Sequence, residues 1–189
     1  MKFGQLTITA LASLTALATV LCAGCNDRNP AIAIAPHVEL ERFMGDWYVI
    51  ASIPTRLERG AHNAVESYQL LADGTIDTTF TFNDGAADGP VRTYRPRGFV
   101  FDRRSNAVWG MRFIWPIKAD YRIMYVDPDY SQTVIGRTAR DYAWIMARTP
   151  QLPAADYQRL SELIAAQGYD TTLLRMVPQR AIAAGGARP

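Results

Sequence analysis

The 189-residue chain is poor in reactive side chains, with two cysteines, two histidines and two lysines in all. Each shortage excludes something. Cys22 and Cys25 lie close together near the N-terminus, so a chain cut at Cys25 keeps one thiol and can form no internal disulfide. Its stability must then come from a hydrophobic core. His37 and His62 lack the spaced partners of a metal site or a catalytic triad, so we expect no metal, no cofactor and no enzymatic activity. Lys2 and Lys118 leave most of the positive charge to arginines, which are scattered rather than grouped along one face. With a formal net charge of +2, nothing points to nucleic acid or another polyanion. What the chain does have is apolar side chains, 49% of its residues, enough for one sizeable core at a single-domain length.

Long hydrophobic runs are scarce too, with one exception at the start. Lys2 precedes an almost unbroken apolar and small-residue run from Leu6 to Leu21, followed by Cys22-Ala23-Gly24-Cys25. A charged start, an apolar centre and small residues before a cut describe a secretory signal over residues 1–24. The run falls short of the roughly 20 residues that a spanning helix needs. Ala23-Gly24-Cys25 resembles the end of a bacterial lipobox, whose Cys is acylated and becomes the first mature residue; Cys22 stands where that pattern usually has Leu. Ordinary cleavage near Ala23, leaving Cys25 as a free exported thiol, is the alternative. Acylation matters because each buried lipid methylene contributes roughly 0.8 kcal/mol, and several chains hold a protein on a bilayer where one does not. Asn26 follows Cys25, instead of the Asp that resembles an inner-membrane retention signal. The expected address is therefore the outer membrane, lipid-anchored at Cys25 on its periplasmic face.

Residues 25–38 read as the lipidated N-terminus and a tether, with two prolines and short side chains. Its Ala-Ile alternation could also lie against the folded domain, which we place at residues 39–180. Residues 181–189, an Ala/Gly tail, read as disordered. From Trp47 to Thr149 the chain is a series of eight short apolar or alternating runs. Turn signals such as Asp73-Gly74, Asp84-Gly85 and Asp127-Pro128 separate them, since Gly tolerates positive φ and Pro presets it. Regular short strands of this kind predict an antiparallel sandwich or a closed barrel. The character then changes once: Tyr157, Leu160, Leu163 and Ile164 recur with a helical period, with Pro153 at the entrance and Gly168 as a stop.

Three stretches go further. Gly45-Asp46-Trp47 opens the first strand, Tyr125-Val126-Asp127-Pro128-Asp129-Tyr130 spans a late turn, and Trp144-Ile145-Met146-Ala147-Arg148 ends the last strand. In that order the chain resembles the lipocalins, and Asp141-Tyr142-Ala143-Trp144 with Arg148-Thr149-Pro150 is similar to their bacterial outer-membrane lipoprotein and apolipoprotein D branch. The resemblance implies an all-β fold, an eight-stranded antiparallel up-and-down barrel with one C-terminal α-helix packed outside. It also implies structural roles for Gly45, Trp47, Asp127, Tyr130 and Arg148, with Trp47 plugging the closed end and Arg148 lying across its ring.

A barrel of eight strands is just wide enough to hold one small ligand when interior residues alternate with exterior ones. If Trp47 points inward, alternation places Val49 and Ala51 inward as well. Phe80 and Phe82 share a face, as do Met111, Phe113 and Trp115, and as do Tyr142, Trp144 and Met146. Each of these is equally well explained as plain barrel core. Arg112 and Tyr125 lie near strand ends, where they offer a polar partner to a carboxylate or phosphate. The loop from Pro54 to Gly60 is expected at the open mouth. The resemblance implies a fatty acid or lysophospholipid as ligand, stored or carried at the bacterial envelope. A ligand-free envelope scaffold and, further off, a lipid-modifying enzyme are the alternatives, and the oligomeric state stays open.

Overall fold

The computed structural model describes residues 30–180. The expected signal over residues 1–24, Cys25 and the tail expected to be disordered from Ala181 lie outside the described residues. A single helical turn, α1 (Leu40–Phe43), leads into β1 (Gly45–Ile53), and the strands follow in the order of the chain. They are β2 (Ala61–Leu70), β3 (Thr75–Asp84), β4 (Val91–Tyr94), β5 (Arg97–Val100), β6 (Val108–Ile114), β7 (Ile117–Val126), β8 (Gln132–Gly136) and β9 (Ala143–Ala147). Helix α2 (Ala154–Ala166) and a two-residue strand, β10 (Arg175–Met176), complete them.

Neighbouring strands pair antiparallel in sequence order, and β9 returns to β1, which closes the sheet on itself. Both β4 and β5 pair with β3, because Arg95-Pro96 interrupts what alternation alone reads as one run. Proline has no N–H for the ladder, so the strand breaks there. Counting β4 and β5 as one interrupted strand, the barrel among the described residues has eight, and closure leaves no exposed edge to aggregate.

The seal between β1 and β2 is unusual. These strands pair only from Gly45 to Tyr48, and above that point the C-terminal segment fills the gap. Val177 N donates to Ile50 O, Asn63 N donates to Pro178 O, and the Gln179 amide donates to both Val49 O and Ala64 O. Thus the chain end supplies hydrogen bonds that the parted strands do not give each other.

Two hydrophobic clusters follow from the alternation. The inner one fills the lower barrel with Phe43, Trp47, Tyr68, Ile76, Trp109 and Ile123 among others. The outer one lies beneath α2, where Leu160 and Ile164 are wholly buried against Ile50, Met124, Val134 and Ile145. Gly168, at φ +84°, ends that helix in the left-handed region that glycine enters at little cost.

Alternation does not run unbroken, and this corrects two expected positions. In the β1–β9 ladder Val49 pairs with Met146 but Ala51 pairs with Ile145, so Ile50 is an extra residue in β1. Such a bulge switches faces. Val49 therefore stays inside, while Ala51 turns out into the cluster beneath α2. The same happens in β7, where Ile123 pairs with Ile135 and Tyr125 with Val134. Tyr125 consequently packs outside, with the Arg159 guanidinium 5.3 Å from its ring centre.

The tether expected over residues 25–38 is docked from Ile32 onward. Ile32, Ala35 and Val38 are buried, Ala35 N donates to Ile123 O at 2.9 Å, and Val38 N donates to Ser105 O at 2.7 Å.

Candidate functional site

The barrel has one closed and one open end. At the closed end Phe43, Trp47, Tyr68, Trp109 and Tyr121 form a continuous ring cluster, with Trp109 and Tyr121 stacked at 5.4 Å and 15°. Trp47 donates its indole N–H to Phe43 O at 2.8 Å. Arg148 lies across the Trp47 ring at 3.8 Å and donates to the carbonyls of Arg42, Phe43, Met44 and Asp46 at 2.7–3.2 Å. One side chain so satisfies the carbonyls that the end of α1 leaves open. Gly45 sits at φ +91°, a left-handed conformation that strains any residue with a Cβ. At the next turn, Asp127 accepts from Ser131 Oγ and Gln132 N, while the Tyr130 hydroxyl accepts from Glu39 N at 2.8 Å.

Above this plug lies a cavity of about 100 Å³. Phe80, Met111, Phe113, Tyr121, Tyr142 and Trp144 supply its apolar wall, and Thr55, Glu58, Glu66, Asp120 and Arg137 its polar groups. A larger groove of about 530 Å³ lies beside the mouth, shares Tyr142 with the cavity and includes Arg59 and Arg175, but it is open to solvent. The cavity is the more enclosed of the two and the better ligand site, since enclosure removes apolar surface from water.

Its chemistry centres on two carboxyls. Glu66 lies level with the plug, paired across the wall with Trp47 on one side and Phe80 on the other. It accepts a hydrogen bond from Tyr68, whose hydroxyl is also 2.6 Å from that of Tyr121. Glu58 reaches in from the mouth loop and accepts from the Trp144 indole at 2.9 Å and from Thr55 Oγ1 at 3.0 Å. Among the described residues no ion pair reaches either carboxyl; Arg137, at the rim, is paired with Asp141 at 3.0 Å, and Arg122 with Asp120 at 3.0 Å. Desolvation pushes the Glu66 carboxyl up to about 8, and the nearby Glu58 adds to the rise. Burial raises Glu58 as well, against the hydrogen bonds from Trp144 and Thr55. The Tyr121 hydroxyl is raised by the same burial and by Glu66.

Of the residues expected to face a ligand, Phe80, Met111, Phe113 and Trp144 line the cavity. Val49 and Phe82 belong to the inner core, where Phe82 stacks on Tyr94. Ala51 and Tyr125 face α2, as described above. Arg112 points away from the cavity and lies 4.8 Å from the Phe99 ring centre, because it alternates with Met111 and Phe113. Trp115 has left the strand for the tip of the β6–β7 hairpin, where 78% of it is exposed. Glu58 and Glu66 were not foreseen. For Glu66 a signal existed: Ala64, Glu66 and Tyr68 share one strand face, so a carboxyl alternates with inward-facing residues. Glu58 had none beyond its place in the mouth loop.

The family described as Lipocalin-like domain matches residues 38–179. The chain is 33% identical to temperature-induced lipocalin-1 of Arabidopsis thaliana over 75% of its own length and 80% of the relative's. It is 26% identical to the outer membrane lipoprotein Blc of Citrobacter freundii over 86% of itself and 92% of that protein. Among solved structures, insecticyanin from Manduca sexta superposes with a TM-score of 0.62 at 13% identity, covering 79% of this chain and 85% of that one. At that identity the likeness concerns the fold.

Proposed function

The chain belongs to the lipocalin family, and from that premise we propose that it binds an amphiphilic lipid, a fatty acid or lysophospholipid, at the bacterial envelope while anchored through acylated Cys25. The observation that carries this reading is the partly enclosed, aromatic-walled cavity that opens beside an exposed apolar hairpin tip. Ile114, Trp115 and Ile117 at that tip are 69–78% exposed, and Phe113 joins them to the cavity wall. At about 100 Å³ the cavity is well below the ~300–1,000 Å³ usual for a whole ligand. An amphiphile would therefore place one end inside and run the rest over the hairpin tip. Such a tip suits exchange with a membrane, because large exposed apolar patches mark interaction sites. Two outer membrane lipoproteins named Blc, from Citrobacter freundii and Escherichia coli, are relatives along most of the chain and support the envelope setting.

Native mass spectrometry of the chain purified from an envelope extract is expected to show a co-purified lipid that a fluorescent fatty-acid probe displaces. Repeated recovery of empty protein without probe binding would instead favour the scaffold reading, which the small cavity also fits. For the anchor, Cys25→Ala is expected to move the protein from the membrane fraction into the soluble periplasm. Continued membrane association would overturn the lipoprotein assignment.

A further inference from the structure

Two half-buried acidic side chains inside an apolar barrel need an explanation, because a carboxyl withdrawn from most of its water costs stability unless something answers it. Glu66 lies at the floor, held by Tyr68, and Glu58 closes over from the mouth loop, held by Trp144 and Thr55. The other charged groups that line the cavity have partners of their own. Asp120 is held by Arg122 and Thr138, and Arg137, at the rim, pairs with Asp141 through one terminal nitrogen while its buried Nε has no partner among the described residues. Around the two carboxyls stand Phe80, Tyr121, Tyr142 and Trp144.

We propose that this cavity takes the ammonium headgroup of a cationic or zwitterionic amphiphile, inserted head first between Glu58 and Glu66, with its chain leaving along Phe113 and the hairpin tip. This rests on the cavity being the ligand site. Carboxylates give an ammonium charge-assisted hydrogen bonds, and ring faces attract the same cation. The arrangement selects by charge. A carboxylate headgroup gains no ion pair between these two carboxyls, and a plain alcohol gains hydrogen bonds without ion pairing. Head-first entry follows from the depth of Glu66, which lies beside the plug residue Trp47, whereas the exposed apolar side chains lie at the rim. A lysophospholipid with an amine-bearing headgroup meets this requirement, whereas a fatty acid would be held through its chain alone.

Binding also moves a proton. Near neutral pH the Glu66 carboxyl is largely protonated, and an incoming ammonium stabilises its ionised form, so a proton leaves to solvent. Affinity for a cation therefore rises with pH from 7 toward 9.

The test uses the unacylated full-length chain with octylamine, octan-1-ol and octanoate as probes of one chain length. Calorimetry at pH 7 is expected to show octylamine bound at least about tenfold more tightly than either of the others, a factor worth ~1.4 kcal/mol. Two buffers of different ionisation enthalpy should reveal net proton release on octylamine binding alone. Glu66→Gln should remove that release and most of the preference for octylamine over octan-1-ol, and Glu58→Gln should weaken the preference in the same direction. Equal binding of all three probes, unaltered by either substitution, would overturn the ammonium assignment and leave the lipid-binding reading standing. Tighter binding of octanoate would do the same. If no probe binds, both fall together.

Discussion

Trp47→Ala is expected to lower the unfolding free energy by about 3–5 kcal/mol, the range for removing a large aromatic side chain from a packed core. Trp47 is wholly buried, tilts against Phe43 at 5.0 Å between ring centres and carries the Arg148 guanidinium on its face. Truncation opens a cavity in the plug, strips the Phe43 carbonyl of one donor and removes a cation–π contact worth roughly 0.5–2 kcal/mol. Since whole domains are stable by only about 5–15 kcal/mol, the variant should unfold at much lower urea. Trp47→Phe keeps a ring for Arg148 and Phe43 and should recover most of the loss. Probe preference in the surviving folded fraction should not change. An unaltered urea curve combined with lost ligand binding would make Trp47 a ligand contact instead of a plug.

Glu66→Gln should act in the opposite direction and depend on pH. Enclosure raises the folded-state carboxyl from 4.5 to about 8. Between those values the unfolded chain has released its proton while the folded chain retains it, so the folded state binds more protons and stability falls as pH rises. Each unit of difference is worth about 1.4 kcal/mol, which sets an upper bound of about 5 kcal/mol for the loss across the window. Glutamine has nearly the same shape and cannot ionise. The variant should therefore match the parent near pH 4.5 and exceed it by about 2–5 kcal/mol at pH 8. Glu58→Gln should show the same sign, because burial raises that carboxyl too. Urea titrations at the two pH values check this, and parallel curves for parent and variant would mean that Glu66 is hydrated. A side chain that costs stability at neutral pH is a mark of function, since binding sites retain groups that a pure core would discard.

These two residues also show how unevenly the molecule was legible. Trp47 could be placed from its neighbours in the chain, because a Gly that permits positive φ, a Trp at the start of a strand and a distant Arg form a recognisable set. The strands were legible for a related reason: Asp73-Gly74 and Asp127-Pro128 punctuate the chain through local backbone preferences that need no partner. Glu66 was hidden because a single carboxyl on a half-polar strand resembles any solvated residue. Trp115 misled in the opposite sense, since an aromatic continuing the alternation of Met111 and Phe113 looked like core, yet the chain turns at that point and leaves it in solvent.

By itself the sequence determined an antiparallel β fold and the order of its elements, which rest on local backbone chemistry, while the resemblance carried by three short stretches implied the closed barrel and its plug. Tertiary structure alone decided the interior chemistry. Whether Ala51 and Tyr125 face in or out depends on bulges at Ile50 and Met124, and a bulge is visible only when one strand is counted against its partner. The gap between β1 and β2 closed by Gln179, and the pair formed by Glu58 and Glu66, likewise join residues far apart in the chain. Local preference governs each turn, but the contents of a closed barrel depend on which faces meet across it.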